Sequence, residues 1–207
     1  MTIAALCLFA MVTLAQKTIR VAAGKTDLVM QVSPKGRLYQ VYLGEKLQNA
    51  TDYDQLKWDV YAASDGAVCQ RGHEVCATSG AEDFFEPALA ITHADGNMTT
   101  YLYFQSVEQK PVEGGAETII TLADKEYPVT VKLHYVAYPK QSVIKAWSEV
   151  THKEKAPITL WRYASTMLYF KSAKYFVTTY HSDWAKEGQP ETTQLISGKK
   201  IVDTKLG

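Results

Sequence analysis

With 207 residues, 46% of them hydrophobic, and 13 tyrosines, the chain can bury a sizeable core as one globular domain and is too apolar to stay disordered. Its 22 Lys and Arg balance 22 Asp and Glu, so no net charge draws it to a phosphate backbone, and nucleic acid is not an expected partner. It has no phosphate loop, dinucleotide fingerprint or HExxH motif, and no cofactor or metal is expected.

The first fifteen residues, MTIAALCLFAMVTLA, carry no charge, run apolar from Ile3 to Val12, and end on small residues that permit cleavage after Ala15. They read as a secretory signal, although the usual positive n-region is missing. The run is too short to span a bilayer, so no membrane partner is expected. Residues 16–207 would then be the mature chain, periplasmic or secreted.

Segments 18–22 and 28–32 have the composition of a hairpin turning at Gly24-Lys25, and 37–43 of a third strand after Ser33-Pro34-Lys35-Gly36. Residues 44–87 are the least regular part, with one expected strand at 58–62. They carry Cys69 and Cys76 in the stretch CQRGHEVC. In an oxidising compartment that spacing reads first as a local disulfide, with two free thiols as the alternative. His73 adds a third ligand type, but the set matches no common zinc spacing.

Beyond residue 87 the sheet pattern resumes. Segments 88–93 and 98–106 flank Ala94-Asp95-Gly96-Asn97, and Asp-Gly between β-rich runs predicts a hairpin. Segment 118–123 follows Gly114-Gly115. From 129 to 137 every second residue is apolar (Val129, Val131, Leu133, Tyr135, Ala137), the period of a strand with one buried face. Tyr138-Pro139-Lys140-Gln141 breaks that run. In 143–150 both readings stay open: Val143, Trp147 and Val150 stand at helical spacing behind a possible Ser142 cap, and the pattern is as compatible with a strand, the reading that the family resemblance given below favours. Segment 158–164 is expected to be the third of three adjacent antiparallel strands, and 175–180 and 194–196 are further strands. The class is all-β, and about a dozen short strands fit best as two packed antiparallel sheets, a β-sandwich.

Few residues suggest chemistry. His181-Ser182-Asp183 names the members of a hydrolase triad, but consecutive side chains point in different directions and cannot line up as one. Carboxylates gather at Glu82, Asp83 and Glu86 and again at Asp183, Glu187 and Glu191; they read either as a pair for glycoside hydrolysis or as solvated loop charge. Asn49-Ala50-Thr51 and Asn97-Met98-Thr99 match the glycosylation pattern. Trp147 and Trp161, inside the central strands, are expected to be core packing. Trp184 lies in the polar stretch HSDWAKEGQ and reads as either a surface contact or a local anchor.

The order FFEPALAI, TIITLADKEYPVTVKLHYVAYPKQSVIKAWSEV, PITLWRYASTML, HSDWAKE and the closing Gly198-Lys199-Lys200 to Leu206-Gly207 resembles the N-terminal domain of the family 36 glycoside hydrolases, the bacterial α-galactosidases. The resemblance covers Asp83 to the last residue best. It implies a large antiparallel super-sandwich of the galactose-mutarotase-like kind, incomplete at its C-terminus and placed before a (β/α)₈ barrel. That barrel would hold the two carboxylates of a retaining mechanism, so no catalytic residue is expected in this chain. The resemblance also implies three partners: α-galactoside oligosaccharides bound by the full-length enzyme, the chain's own C-terminal barrel, and further copies in a homo-oligomer. The positions matching the family's substrate-adjacent loops are Asp83, Trp184 and Glu187. The family often has an arginine where this chain has Phe85, and phenylalanine offers no donor to a sugar hydroxyl.

Overall fold

The computed structural model describes residues 17–56, 73–81, 86–170, 172, 174–182, 184–185, 187–196 and 198–203. The expected signal at 1–15, the strand at 58–62, and Asp83, Asp183 and Cys69 lie outside them. The chain divides into two compact units, Met1–Tyr169 and Phe170–Gly207.

In chain order the first unit contains β1 (Thr18–Ala23), β2 (Thr26–Val32), β3 (Leu38–Glu45), a 3-10 turn (Ala50–Gln55), β4 (Leu89–Thr92), β5 (Tyr103–Val112), β6 (Gly115–Ala123), β7 (Val129–Tyr138), β8 (Val143–His152) and β9 (Thr159–Tyr163). Strands β1 to β3 form one antiparallel sheet and β5 to β8 another, each in simple meander order, while β4 pairs with β9. The β1–β2 hairpin turns at Gly24-Lys25 as the sequence indicates. Gly24 sits at φ +63, and a Cβ there would fall 2.2 Å from the Pro139 carbonyl oxygen, so both backbone and space require glycine.

The alternation in β7 is the pattern the sequence carries: Val129, Val131, Leu133, Tyr135 and Ala137 are all buried. With Ile120 and Leu122 of β6 they join Ile19, Val21 and Ala23 of β1 and Leu28, Met30 and Val32 of β2 in one core cluster. The three-stranded and four-stranded sheets thus share a single apolar layer, the arrangement of a sandwich.

Three expectations are resolved or corrected by long-range pairing. Segment 143–152 is a strand, because its ladder to β7 runs unbroken from Val129↔His152 to Tyr138↔Val143. Ser142 caps no helix; it sits in the turn at φ 54, where its hydroxyl accepts the Lys25 amide at 3.2 Å. The hairpin expected from 88–93 and 98–106 does not form, although its turn does. The Gly96 amide bonds the His93 carbonyl at 2.9 Å, but the Asp95 and Asn97 side chains then capture the amides of Asn97 and Thr99, each at 2.9 Å. The following residues bond the 78–79 segment instead, through Thr100 N to Ser79 O at 3.2 Å and Ser79 Oγ to Met98 O at 3.0 Å. Strand β4 therefore finds its partner in β9, and β9 is not the third neighbour beside β8.

The second unit contains β10 (Tyr175–Tyr180) and β11 (Pro190–Leu195), an antiparallel ribbon in register from Tyr175↔Leu195 to Tyr180↔Pro190. β11 begins four residues earlier than the expected 194–196. Among the described residues no helix is long and apolar enough to cross a membrane.

Candidate functional site

The β10–β11 ribbon carries two of the three expected site residues on one loop. The His181 amide donates to the Gln189 carbonyl at 3.0 Å and the Gly188 amide to the His181 carbonyl at 2.9 Å, so residues 181–189 are closed off at their base. Gly188 takes φ +72 and Ala185 φ 63, the left-handed conformation that tight reversals need. At the tip Trp184 is 90% exposed and Glu187 is also exposed. Among the described residues little covers Trp184, which favours the surface contact over the local anchor. At the base His181 Nε2 lies 3.4 Å from Glu191 Oε2, an exposed pair of little energetic weight.

Trp184 and Glu187 share the loop that these bonds close. Asp83 is not among the described residues, so the trio cannot be assembled. Cys76 is a free, buried thiol whose pKa burial pushes up to about 12; Cys69, its expected partner, lies outside the described residues. Among the described residues no group of three or more His, Cys, Asp or Glu side chains could hold a metal.

Two buried polar clusters escaped the sequence reading. In the first, His93 is 2% exposed, with Nδ1 at 2.8 Å from Glu154 Oε1 and Nε2 at 2.9 Å from Thr100 Oγ1. Tyr127 stacks on its ring at 3.6 Å between centroids and donates its hydroxyl to Asp95 Oδ2 at 2.9 Å. Burial pushes the Glu154 carboxyl up, but the His93 bond and the Ala94 amide hold it below the usual carboxylate range. The Asn97 amide and the Tyr127 hydroxyl hold Asp95 low as well. The second cluster lies on the outer face of the four-stranded sheet. There His134 Nδ1 meets Glu117 Oε1 at 2.7 Å, Lys110 Nζ meets Glu117 Oε2 at 2.9 Å, and Trp147 stacks on His134 at 4.6 Å. The His134 bond first, then that of Lys110, keeps Glu117 ionised below its ordinary range.

The first cluster offers a substrate no reactive group. The His93 and Glu154 side chains are 0% and 6% exposed, and both ring nitrogens of His93 are occupied. Their work is to tie the 93–97 turn to the 124–127 turn and to the connection after β8. Sequence spacing gives no hint of this, because His93 and Glu154 stand 61 residues apart.

Two tryptophans depart from expectation. Trp147 is only half-buried and lies against His134 on the outer face, because Val150 and Ala146 take the core side of β8. Trp161 is 66% exposed, although its strand is bonded to a buried neighbour.

With the fold in place, the chain can be set beside known proteins. The model of the glycosyl hydrolase family 36 N-terminal domain matches residues 36–207. The α-galactosidase AgaA of Geobacillus stearothermophilus is 25% identical over 213 residues, which cover 92% of this chain and 29% of that enzyme. A crystal structure of an AgaA variant in complex with raffinose superposes with a TM-score of 0.73 at 23% identity, over 88% of this chain and 28% of the other. The α-galactosidase of Lactobacillus brevis gives a TM-score of 0.73 at 19% identity, over 89% and 28%. The chain thus spans less than a third of the length of each of these enzymes. The chain belongs to the glycosyl hydrolase family 36 N-terminal domain family.

Proposed function

We propose that the chain is the non-catalytic N-terminal domain of an α-galactosidase that releases terminal α-galactose from oligosaccharides. The observation that carries this reading is the family match over residues 36–207. Retaining hydrolysis needs two carboxyl groups about 5 Å apart across a sugar, and that pair is assigned to a barrel following this domain. The domain's role is to support the barrel and to extend the 181–189 loop, with Trp184 and Glu187, toward the sugar site of a neighbouring copy in a homo-oligomer. By the family resemblance Asp83 is a further substrate-adjacent candidate. Export through residues 1–15 to the periplasm or the medium completes the proposal.

A domain exchange tests it. Replacing the matching N-terminal region of AgaA with this chain should yield a folded enzyme that still hydrolyses raffinose, whereas deletion of the region should not. A chimera that folds but hydrolyses no α-galactoside would overturn the proposal.

The 90% exposure of Trp184 also favours a second reading, a free-standing sandwich that binds carbohydrate without chemistry. Calorimetric titration of the chain with galactose and raffinose separates the two. Millimolar binding lost on Trp184→Ala supports the binding module.

A further inference from the structure

The β4–β9 ribbon presents an aromatic residue that neither the fold nor the proposed function uses. β4 is buried, with Leu89 at 2% and Ile91 at 0% exposed, yet its partner β9 shows Trp161 to solvent at 66%. The ladder explains why. Ala90 faces Arg162 and Ile91 faces Leu160, so Trp161 is the extra residue of a β-bulge with no partner opposite. A bulge re-aims its side chain. Here the indole swings across the ribbon, and its N–H donates to Thr92 Oγ1 at 2.7 Å.

That bond has two consequences. It fixes the ring on a rigid strand pair, and it satisfies the indole's single polar atom from within the protein, so what remains for a ligand is the π face. Thr92 and Ala90 lie two apart on β4 and share one face of the ribbon. Trp161 reaches the first and Arg162 is in register with the second, which places the indole and the guanidinium on that same face. Arg162 Nη1 is paired there with Glu86 Oε2, and both side chains stay open to solvent, at 40% and 55%. The surface combines an apolar ring, a planar fork of donors and a carboxylate acceptor whose charges cancel.

We propose that Trp161 with the Arg162–Glu86 pair forms a contact site for one neutral hexopyranose unit, an inference independent of the α-galactosidase reading. The C–H face of a pyranose is weakly positive and apolar and matches the negative face of an aromatic ring. Its vicinal hydroxyls both donate and accept, as the carboxylate and guanidinium require. A free phosphate or a nucleic acid finds no uncompensated cation here, because Glu86 already neutralises Arg162. A purely apolar partner would leave the same pair desolvated and gain nothing from it.

Calorimetric titration of the full chain with methyl α-galactoside and with raffinose tests the site. A ring face and one polar pair should hold a single sugar at roughly millimolar Kd. Trp161→Ala should weaken binding at least about tenfold, and Trp161→Phe, which keeps a ring face, should restore most of it. Trp184→Ala should leave this binding within about twofold, which would assign it to the indole of Trp161 and not to that of Trp184. Three results would overturn the proposal. One is no heat of binding up to about 50 mM sugar. Another is a loss caused by Trp184→Ala and not by Trp161→Ala. The last is a dimer seen by light scattering that Trp161→Ala converts to monomer, which would assign the ring to a protein contact.

Discussion

Replacing Trp184 with alanine separates support of the fold from contact with a partner. The residue is 90% exposed, so only about a tenth of its surface is covered by the chain itself. A fully buried aromatic side chain hides about 250 Å² at most, so the covered part here is roughly 25 Å². At about 25 cal/mol per Å² its loss should cost no more than about 0.6 kcal/mol, or a degree or two in Tm. The turn should survive, because it is closed by the backbone bonds between His181, Gly188 and Gln189 and not by the indole. Urea unfolding followed by circular dichroism should therefore show the midpoint of the Trp184→Ala chain almost unmoved. In the AgaA chimera the same change should raise KM for raffinose while leaving thermal stability intact. A stability loss above about 1.5 kcal/mol would mean that Trp184 packs as an anchor, and the exposure argument would fail.

Ile91 and Leu160 are register partners at 0% and 49% exposure, so Ile91→Ala should cost about 3 kcal/mol and Leu160→Ala less than about 1 in the same urea titration. Equal costs would place β9 elsewhere. Asp95, Glu117 and Glu154 are each held below the ordinary carboxylate range, so the stability they add is complete above that range and is lost as pH falls through and below it. Tm should drop steadily below about pH 4.5, and an unchanged Tm down to about pH 3 would contradict the cluster assignments. Burial and a pKa pushed up to about 12 should keep Cys76 unmodified by iodoacetamide in the native chain and let it react once urea unfolds the protein. Mass spectrometry of the peptide carrying Cys76 reads this directly, and rapid native alkylation would refute the burial.

What the sequence made legible were the features set by neighbouring residues. The two-residue period of Val129 to Ala137 places the core face of β7, and Gly24-Lys25 marks the first hairpin, because each depends on chemistry within a few positions. The order of short motifs carried the family, which no single residue could. What stayed hidden depends on partners far along the chain. The Asp95-Gly96 turn forms as read, but its neighbours Met98 to Thr100 prefer carbonyls and hydroxyls near Ser79, so local turn chemistry gave the correct turn and the wrong strand pairing. Trp161 was placed in the core because its strand reads as central, and one inserted residue in the ladder turned it outward. The His93–Glu154 bond spans 61 residues and leaves no periodic trace.

The most direct test of the account is the turnover of an aryl α-galactoside by this chain alone, purified and folded, at concentrations that would reveal even slow hydrolysis. The account predicts a rate no different from buffer, unchanged by substitution of Asp83, Asp183 or Glu187, because both carboxylates of the reaction are assigned to the barrel. Enzyme-like turnover abolished by any of those substitutions would contradict it and place the catalytic site within these 207 residues.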